Sequence, residues 1–195
     1  VKCIGTNVFR NCEILKIYCE VVSKPSGWSS NWNSGCPNIW DFNYEYVVRD
    51  NYVYLTEYNG KSTDIIIPSE IDGYSVVDFG TTFRGKDITS IIVPDSVLSI
   101  ASGAFFGCAN LESIAIPFVG NEIKTENDTY QHPLGYIFGT TSYSGATAVE
   151  QYYYGSSTSI TTHNTYYIPS VLKNDTVTGG NILYGAFYNC TNLID

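Results

Sequence analysis

The feature that most limits how this chain can fold is a pattern that returns about every two dozen residues. Its clearest copy runs Val97-x-x-Ile100, Ala104-Phe105-x-x-Cys108, then Leu111-x-x-Ile114-x-Ile116-Pro117. Ile88-x-x-Ile91-x-Val93-Pro94 lies 23 residues before the last of these, and Phe83 lies 22 residues before Phe105. The opening residues state the theme as Val1-x-x-Ile4-Gly5-x-x-Val8-Phe9-x-x-Cys12-x-x-Leu15, and the closing ones as Gly185-Ala186-Phe187-x-x-Cys190-x-x-Leu193. Two more Ile-Pro steps stand at Ile67-Pro68 and Ile168-Pro169.

The alternation at the end of Leu111-x-x-Ile114-x-Ile116 points its apolar residues to one face of a short strand. Pro117 ends that strand because it has no N–H for the ladder. The Ala-Phe pair fills the space between neighbouring coils. No coil can bury its own apolar face, so each depends on the next. A period in the low twenties is that of leucine-rich repeats. The expected fold is a leucine-rich repeat solenoid. Short parallel strands line one face and irregular or short helical turns lie opposite, with β-hairpin insertions.

The spacing Ile-Pro-x-Ser-Val-x-x-Ile, Ala-Phe-x-x-Cys-x-x-Leu-x-x-Ile resembles the BspA-like bacterial surface leucine-rich repeats. Residues 93–116 match most closely, and the resemblance extends to both ends of the chain. It implies a bacterial protein at the cell surface or secreted, with a role in adhesion and a protein partner on a host or neighbouring cell.

Between the copies, residues 19–67 and 118–166 show no clear repeat phase. Residues 1–18 read as a partial repeat and 19–43 as a Trp-rich loop. Residues 44–67 read as a β-hairpin and strand segment, with Phe42-x-Tyr44-x-Tyr46-x-Val48 in period two and a turn at Asp50-Asn51. Residues 68–120 hold leucine-rich repeats, although 76–88 is irregular, with Thr82-Phe83 in the Ala-Phe place. Residues 121–165 are rich in Tyr, Gly, Ser and Thr. They read as an extra hairpin rather than a flexible linker, because linkers seldom carry so many aromatics. Residues 166–195 read as a C-terminal partial repeat. With no Met in the chain and a repeat cut at each end, a fragment of a longer array is expected.

Of six cysteines, Cys12, Cys108 and Cys190 share one repeat position and read as buried small side chains near backbone carbonyls. Cys19 and Cys36 flank the Trp-rich loop, and spacing leaves both a bridge and two free thiols open. Cys3 has no evident partner. No Cys-x-x-Cys pair exists for a zinc knuckle or a thioredoxin-like centre.

Catalytic constellations do not emerge. His132 and His163 read as solvent-exposed loop histidines, and Glu122 and Glu126 as a solvated face rather than a glycosidase pair. Three acceptor triplets for N-glycosylation, beginning at Asn127, Asn174 and Asn189, carry no weight if the source is bacterial, as the resemblance implies. No cofactor and no metal site are expected. A net charge of −9 opposes nucleic acid and anionic lipid. No apolar run reaches the roughly 18 residues of a spanning helix, so no membrane insertion is expected within this stretch.

The expected function is a non-catalytic adhesion or protein-binding module, extracellular or at the cell surface. Its candidate contact residues are the strand-face positions Ser90, Ile92, Ser113 and Ala115. The aromatics Trp28, Trp32, Tyr143, Tyr152, Tyr153 and Tyr154 join them, since Tyr and Trp dominate contact hot spots. Two alternatives are a carbohydrate-binding module that stacks sugars on exposed Trp or Tyr, and a structural spacer.

Overall fold

A computed structural model describes the chain except for residues 13–14, 22, 41, 126–127, 129–130, 155–159 and 195, and for the side chains of 153–154 and 160–162. The backbone divides into two compact units: Val1–Tyr44 with Tyr58–Ser62, and Glu45–Glu57 with Thr63–Asp195.

In the first unit the segment read as a Trp-rich loop is itself a repeat coil. β1 (Ile17–Tyr18) pairs in parallel with β2 (Asn38–Ile39), and Ile4 bridges in parallel to Trp28. Asn7 and Asn31 occupy equivalent corners. The Asn7 N–H donates to the Asn31 carbonyl at 3.1 Å, and the Asn31 amide donates to Asn7 Oδ1 at 2.6 Å. Trp32 stands where Phe is expected, edge-on to Phe9 at 6.1 Å. Cys36 stands where Cys is expected, its thiol donating to the Cys12 carbonyl at 3.2 Å. The phase was hidden because Trp32-x-x-x-Cys36 is one residue longer than Phe9-x-x-Cys12. Cys19 and Cys36 are buried and free, so no bridge closes this segment.

The second unit carries two four-stranded sheets. In the first, β3 (Tyr44–Arg49) and β4 (Tyr52–Tyr58) form the expected hairpin. Its turn residues Asp50 and Asn51 take φ of 51° and 65°, the paired left-handed conformation of a type I′ turn. Next come β5 (Asp64–Ile66), then β6 (Glu70–Ile71) and β7 (Tyr74–Asp78), which pair antiparallel through Asp72-Gly73. The strand order of this sheet is β3-β4-β7-β6.

The other sheet is the parallel ribbon that the repeat demands. β8 (Ser90–Ile92) lies between β5 and β9 (Ser113–Ile116), and β12 (Asn174–Val177) lies on the far side of β9. All three pairings are parallel. Opposite the ribbon each coil turns a corner in the same way. The Cys N–H donates to the Phe carbonyl three residues before it, and the Leu N–H to the Cys carbonyl. The bonds measure 3.2 and 3.2 Å at Phe105-Cys108-Leu111, and 3.0 and 3.2 Å at Phe187-Cys190-Leu193. Phe79, Phe83, Phe105 and Phe138 are all fully buried. Their rings touch in sequence at 5.7, 6.3 and 6.2 Å. Gly107 (φ +80°) sits against Gly85, where a Cβ would meet Gly85 Cα at 3.3 Å, so the backbones approach closely here only without side chains.

Residues 118–166 contain a further repeat corner, although at a longer spacing. Pro133 to Gly139, with a 3-10 turn at Leu134–Ile137, form the next corner, and Ile137-Phe138 replaces Ala-Phe. Between that corner and β12 the coil is extended by β10 (Ala146–Tyr154) and β11 (Ile160–Pro169), an antiparallel hairpin. Gln151 anchors it from the inside. Its carbonyl accepts the Gly135 N–H at 2.7 Å, and its amide donates to the Tyr188 carbonyl at 2.8 Å.

Because Phe105 touches rings of the coils on both sides, truncating it empties space that three coils share. Phe105→Ala is expected to lower unfolding stability by about 3–5 kcal/mol, read from the urea midpoint. A loss under about 1 kcal/mol would contradict a shared interior.

Candidate interaction surface

The parallel register that buries one row of side chains exposes the next. Asp64, Ser90, Ser113 and Asn174 align across β5, β8, β9 and β12, and so do Ile66, Ile92, Ala115 and Thr176. Between these rows Ile65, Ile91 and Ile114 point inward and are buried. Strands about 4.8 Å apart make each outward row roughly 14 Å long. The first row is polar and ordered: Ser90 Oγ donates to Asp64 Oδ1 at 2.7 Å, and Thr89 Oγ1 to the same oxygen at 3.1 Å. The second row begins apolar, with Ile66 69% and Ile92 47% exposed. The four strand-face positions taken from the sequence thus lie together on one surface, in two rows. Asp64, Ile66, Asn174 and Thr176 extend those rows and were not singled out. Their signals were present: Ile65-Ile66-Ile67 alternates like the other strands, and Leu172-x-x-Asp175-x-Val177 is the Leu-x-x-Ile-x-Ile motif with one substitution.

The aromatic candidates fare differently. Trp28 and Trp32 are buried at 8% and 3%, and they pack on each other at 4.7 Å and on Trp40 at 6.0 and 5.7 Å. They form the interior between two coils, so neither offers an exposed stacking platform. Tyr143 is half-buried with its ring edge-on to Phe106 at 5.1 Å, and Arg84 covers the other ring at 4.6 Å from its centroid. Burial pushes the Tyr143 phenol well above its usual range. Tyr143 is a packing residue. Tyr152 lies on the outer face of the hairpin, 5.0 Å from Tyr188 and 5.6 Å from His163. Tyr188, brought there from the last corner and 45% exposed, was missed because nothing local links it to Tyr152. The side chains of Tyr153 and Tyr154 lie outside the described residues.

The chain's few titratable candidates are occupied. His163 stands on β11, not in a loop, and its Nδ1 lies 2.8 Å from Glu150 Oε1. His132 is half-buried rather than free in solvent. It stacks on Tyr136 at 4.1 Å, and desolvation lowers its basicity. Glu122 pairs with Lys124 at 2.7 Å, and this hydrogen bond holds its carboxyl below the ordinary range. Glu126 lies outside the described residues. Among the cysteines, Cys108 is fully buried with its thiol 3.0 Å from the Phe83 carbonyl. Cys190 is half-buried. Cys12, in contrast, is exposed.

Residues 80–132 match the family described as "BspA type Leucine rich repeat region (6 copies)". The chain carries a BspA-type leucine-rich repeat region. Two solved structures are similar to part of it. A leucine rich cell surface protein from Faecalibacterium prausnitzii A2-165 shares 29% identity over 40% of this chain and 22% of its own, with a TM-score of 0.36. The T. pallidum leucine rich repeat protein shares 28% identity over 37% of this chain and 40% of its own, with a TM-score of 0.32. The chain therefore covers well under two thirds of either. No curated protein matches it. Among the described residues no helix is long and apolar enough to cross a membrane.

Burial within its corner pushes the Cys108 thiol up to about 11. At pH 8, Cys3 and Cys12 are expected to react with a maleimide within minutes. Cys108 should stay protected at least about a hundredfold longer, since the thiolate is the nucleophile. Peptide mass mapping of the labelled, unreduced chain checks this, and early labelling of Cys108 would contradict its burial.

Proposed function

We propose that this chain is a non-catalytic protein-binding module, and that the outward face of its parallel ribbon is the contact surface. The single observation that carries this reading is the aligned pair of rows. Ile66, Ile92 and Ala115 offer an apolar strip beside the hydrogen-bonded polar row of Asp64, Ser90 and Ser113. An apolar strip with a polar flank, held on a rigid sheet, is the composition of a contact patch. It demands little ordering on binding, because the strands are already fixed by coils on each side. Resemblance to BspA-like surface repeats supports a place outside the cell or on its surface, and a partner protein on a host or neighbouring cell. It also supports adhesion as the role.

A carbohydrate-binding reading keeps one specific support, the surface grouping of Tyr152 and His163 on the hairpin with Tyr188 from the last corner. It loses the tryptophans. A glycan array separates the two readings: binding removed by Tyr152→Ser and Tyr188→Ser would favour sugar, and a blank array would leave the ribbon face alone.

Ile66 and Ile92 are exposed, so Ile66→Lys with Ile92→Lys should change stability by no more than about 1 kcal/mol. The same pair should weaken partner binding by about a hundredfold. The measurement is retention of surface proteins from host or neighbouring cells on immobilised wild-type and variant chains. An identical set of retained proteins would remove the ribbon face from the proposal.

A further inference from the structure

The inward row of the ribbon reads Ile65, Ile91, Ile114 and then Asp175. The first three are core residues, and the fourth carries a carboxyl group in the same register. Both of its oxygens are sealed from water and have no hydrogen-bond partner among the described residues. An ionised carboxylate in that position has lost its hydration and received nothing in exchange, which is the most expensive state a side chain can occupy.

What seals it is the last coil. Phe187, Cys190, Leu193 and Ile194 lie with Asp175 around a groove of about 340 Å³. The groups facing the carboxyl offer no compensation. β9 presents Ile114, and among the described residues lining the groove the last coil presents one titratable group, the Cys190 thiol. That thiol is itself pushed up to about 12, first by burial and then by the charge of Asp175. Among the described residues no cation offsets the burial of Asp175, which lifts its carboxyl from the ordinary 3.8 to about 7.

We propose that closure of the last coil, residues 183–194, over the ribbon is gated by a proton on Asp175: the neutral acid allows the coil to dock, and the carboxylate drives it open. Closing takes up one proton from solvent. Opening hydrates the carboxylate and releases it. The carboxyl value is raised in the closed form, so the closed form binds the extra proton between about 4 and 7. Its stability is therefore full below that window, falls through it, and is level above it. Within the window the open fraction rises by up to about tenfold per pH unit. The hydrogen bonds that break are those of the coil itself, Ile194 N–H to the Lys173 carbonyl at 2.9 Å and Cys190 N–H to the Phe187 carbonyl at 3.0 Å. The β8–β9 ladder, for example Val93 N–H to the Ala115 carbonyl at 2.8 Å, does not take part.

Native-state amide exchange from pH 5 to 8 tests this on the full chain, comparing wild type with Asp175→Asn. The ratio of their exchange rates cancels the intrinsic pH dependence of exchange. At Ile194 and Cys190 that ratio should climb by up to about tenfold per pH unit to pH 7 and then level, while at Val93 it stays constant. Asp175→Ile completes the apolar row, guards against a poorly folded Asn variant, and should serve equally well as the flat reference. A constant ratio at Ile194 and Cys190, or a climb of equal size at Val93, would overturn the proposal.

Discussion

Everything in this molecule depends on one coil lending its neighbour an interior. A coil of about two dozen residues has one apolar edge and no second layer of its own to cover it. In the unit Glu45–Glu57 with Thr63–Asp195, burial comes from Phe79 and Phe83 on one corner, Phe105 on the next and Phe138 on the one after, and from the row Ile65, Ile91 and Ile114. The unit Val1–Tyr44 with Tyr58–Ser62 uses the same device with larger rings, Phe9 against Trp32 and Trp28. Burial thus comes from neighbours along the stack and owes little to any single coil.

The same constraint creates the surface. Side chains alternate along a strand, so a register that aligns Ile91 with Ile114 inside must align Ile92 with Ala115 outside. Core and contact face are consequences of one registration, and a slip by a residue would exchange them. That is why a ribbon of three- and four-residue strands can hold an ordered outward pattern. Its outer side chains inherit the order of the buried ones.

Insertions are tolerated where they leave the shared interior alone. The hairpin Ala146–Tyr154 with Ile160–Pro169 lengthens one coil between its corner and its strand, yet β12 still joins β9 in parallel. The inner side of the hairpin is closed by Gln151, whose buried amide satisfies backbone groups at Gly135 and Tyr188. Asp175 is the opposite case. It departs from the repeat chemistry at an inward position, where no partner meets it, and so it makes docking of one coil sensitive to a proton.

The repeat class, the parallel ribbon, the hairpin at Asp50-Asn51 and the outward direction of Ser90, Ile92, Ser113 and Ala115 were all legible in the residues. Each follows from local periodicity and turn chemistry, which short stretches of sequence express in full. Where one extra residue separated Trp32 from Cys36, or where Ile137-Phe138 stood for Ala-Phe, the same coil was present but its rhythm was not. Only the tertiary structure could decide that Trp28 and Trp32 are core, that Cys19 and Cys36 are free, that Tyr188 meets Tyr152, and that the carboxyl oxygens of Asp175 are shielded. Those outcomes turn on which coil comes to rest against which. That is a matter of distance in space, and an amino-acid order states it only through the fold.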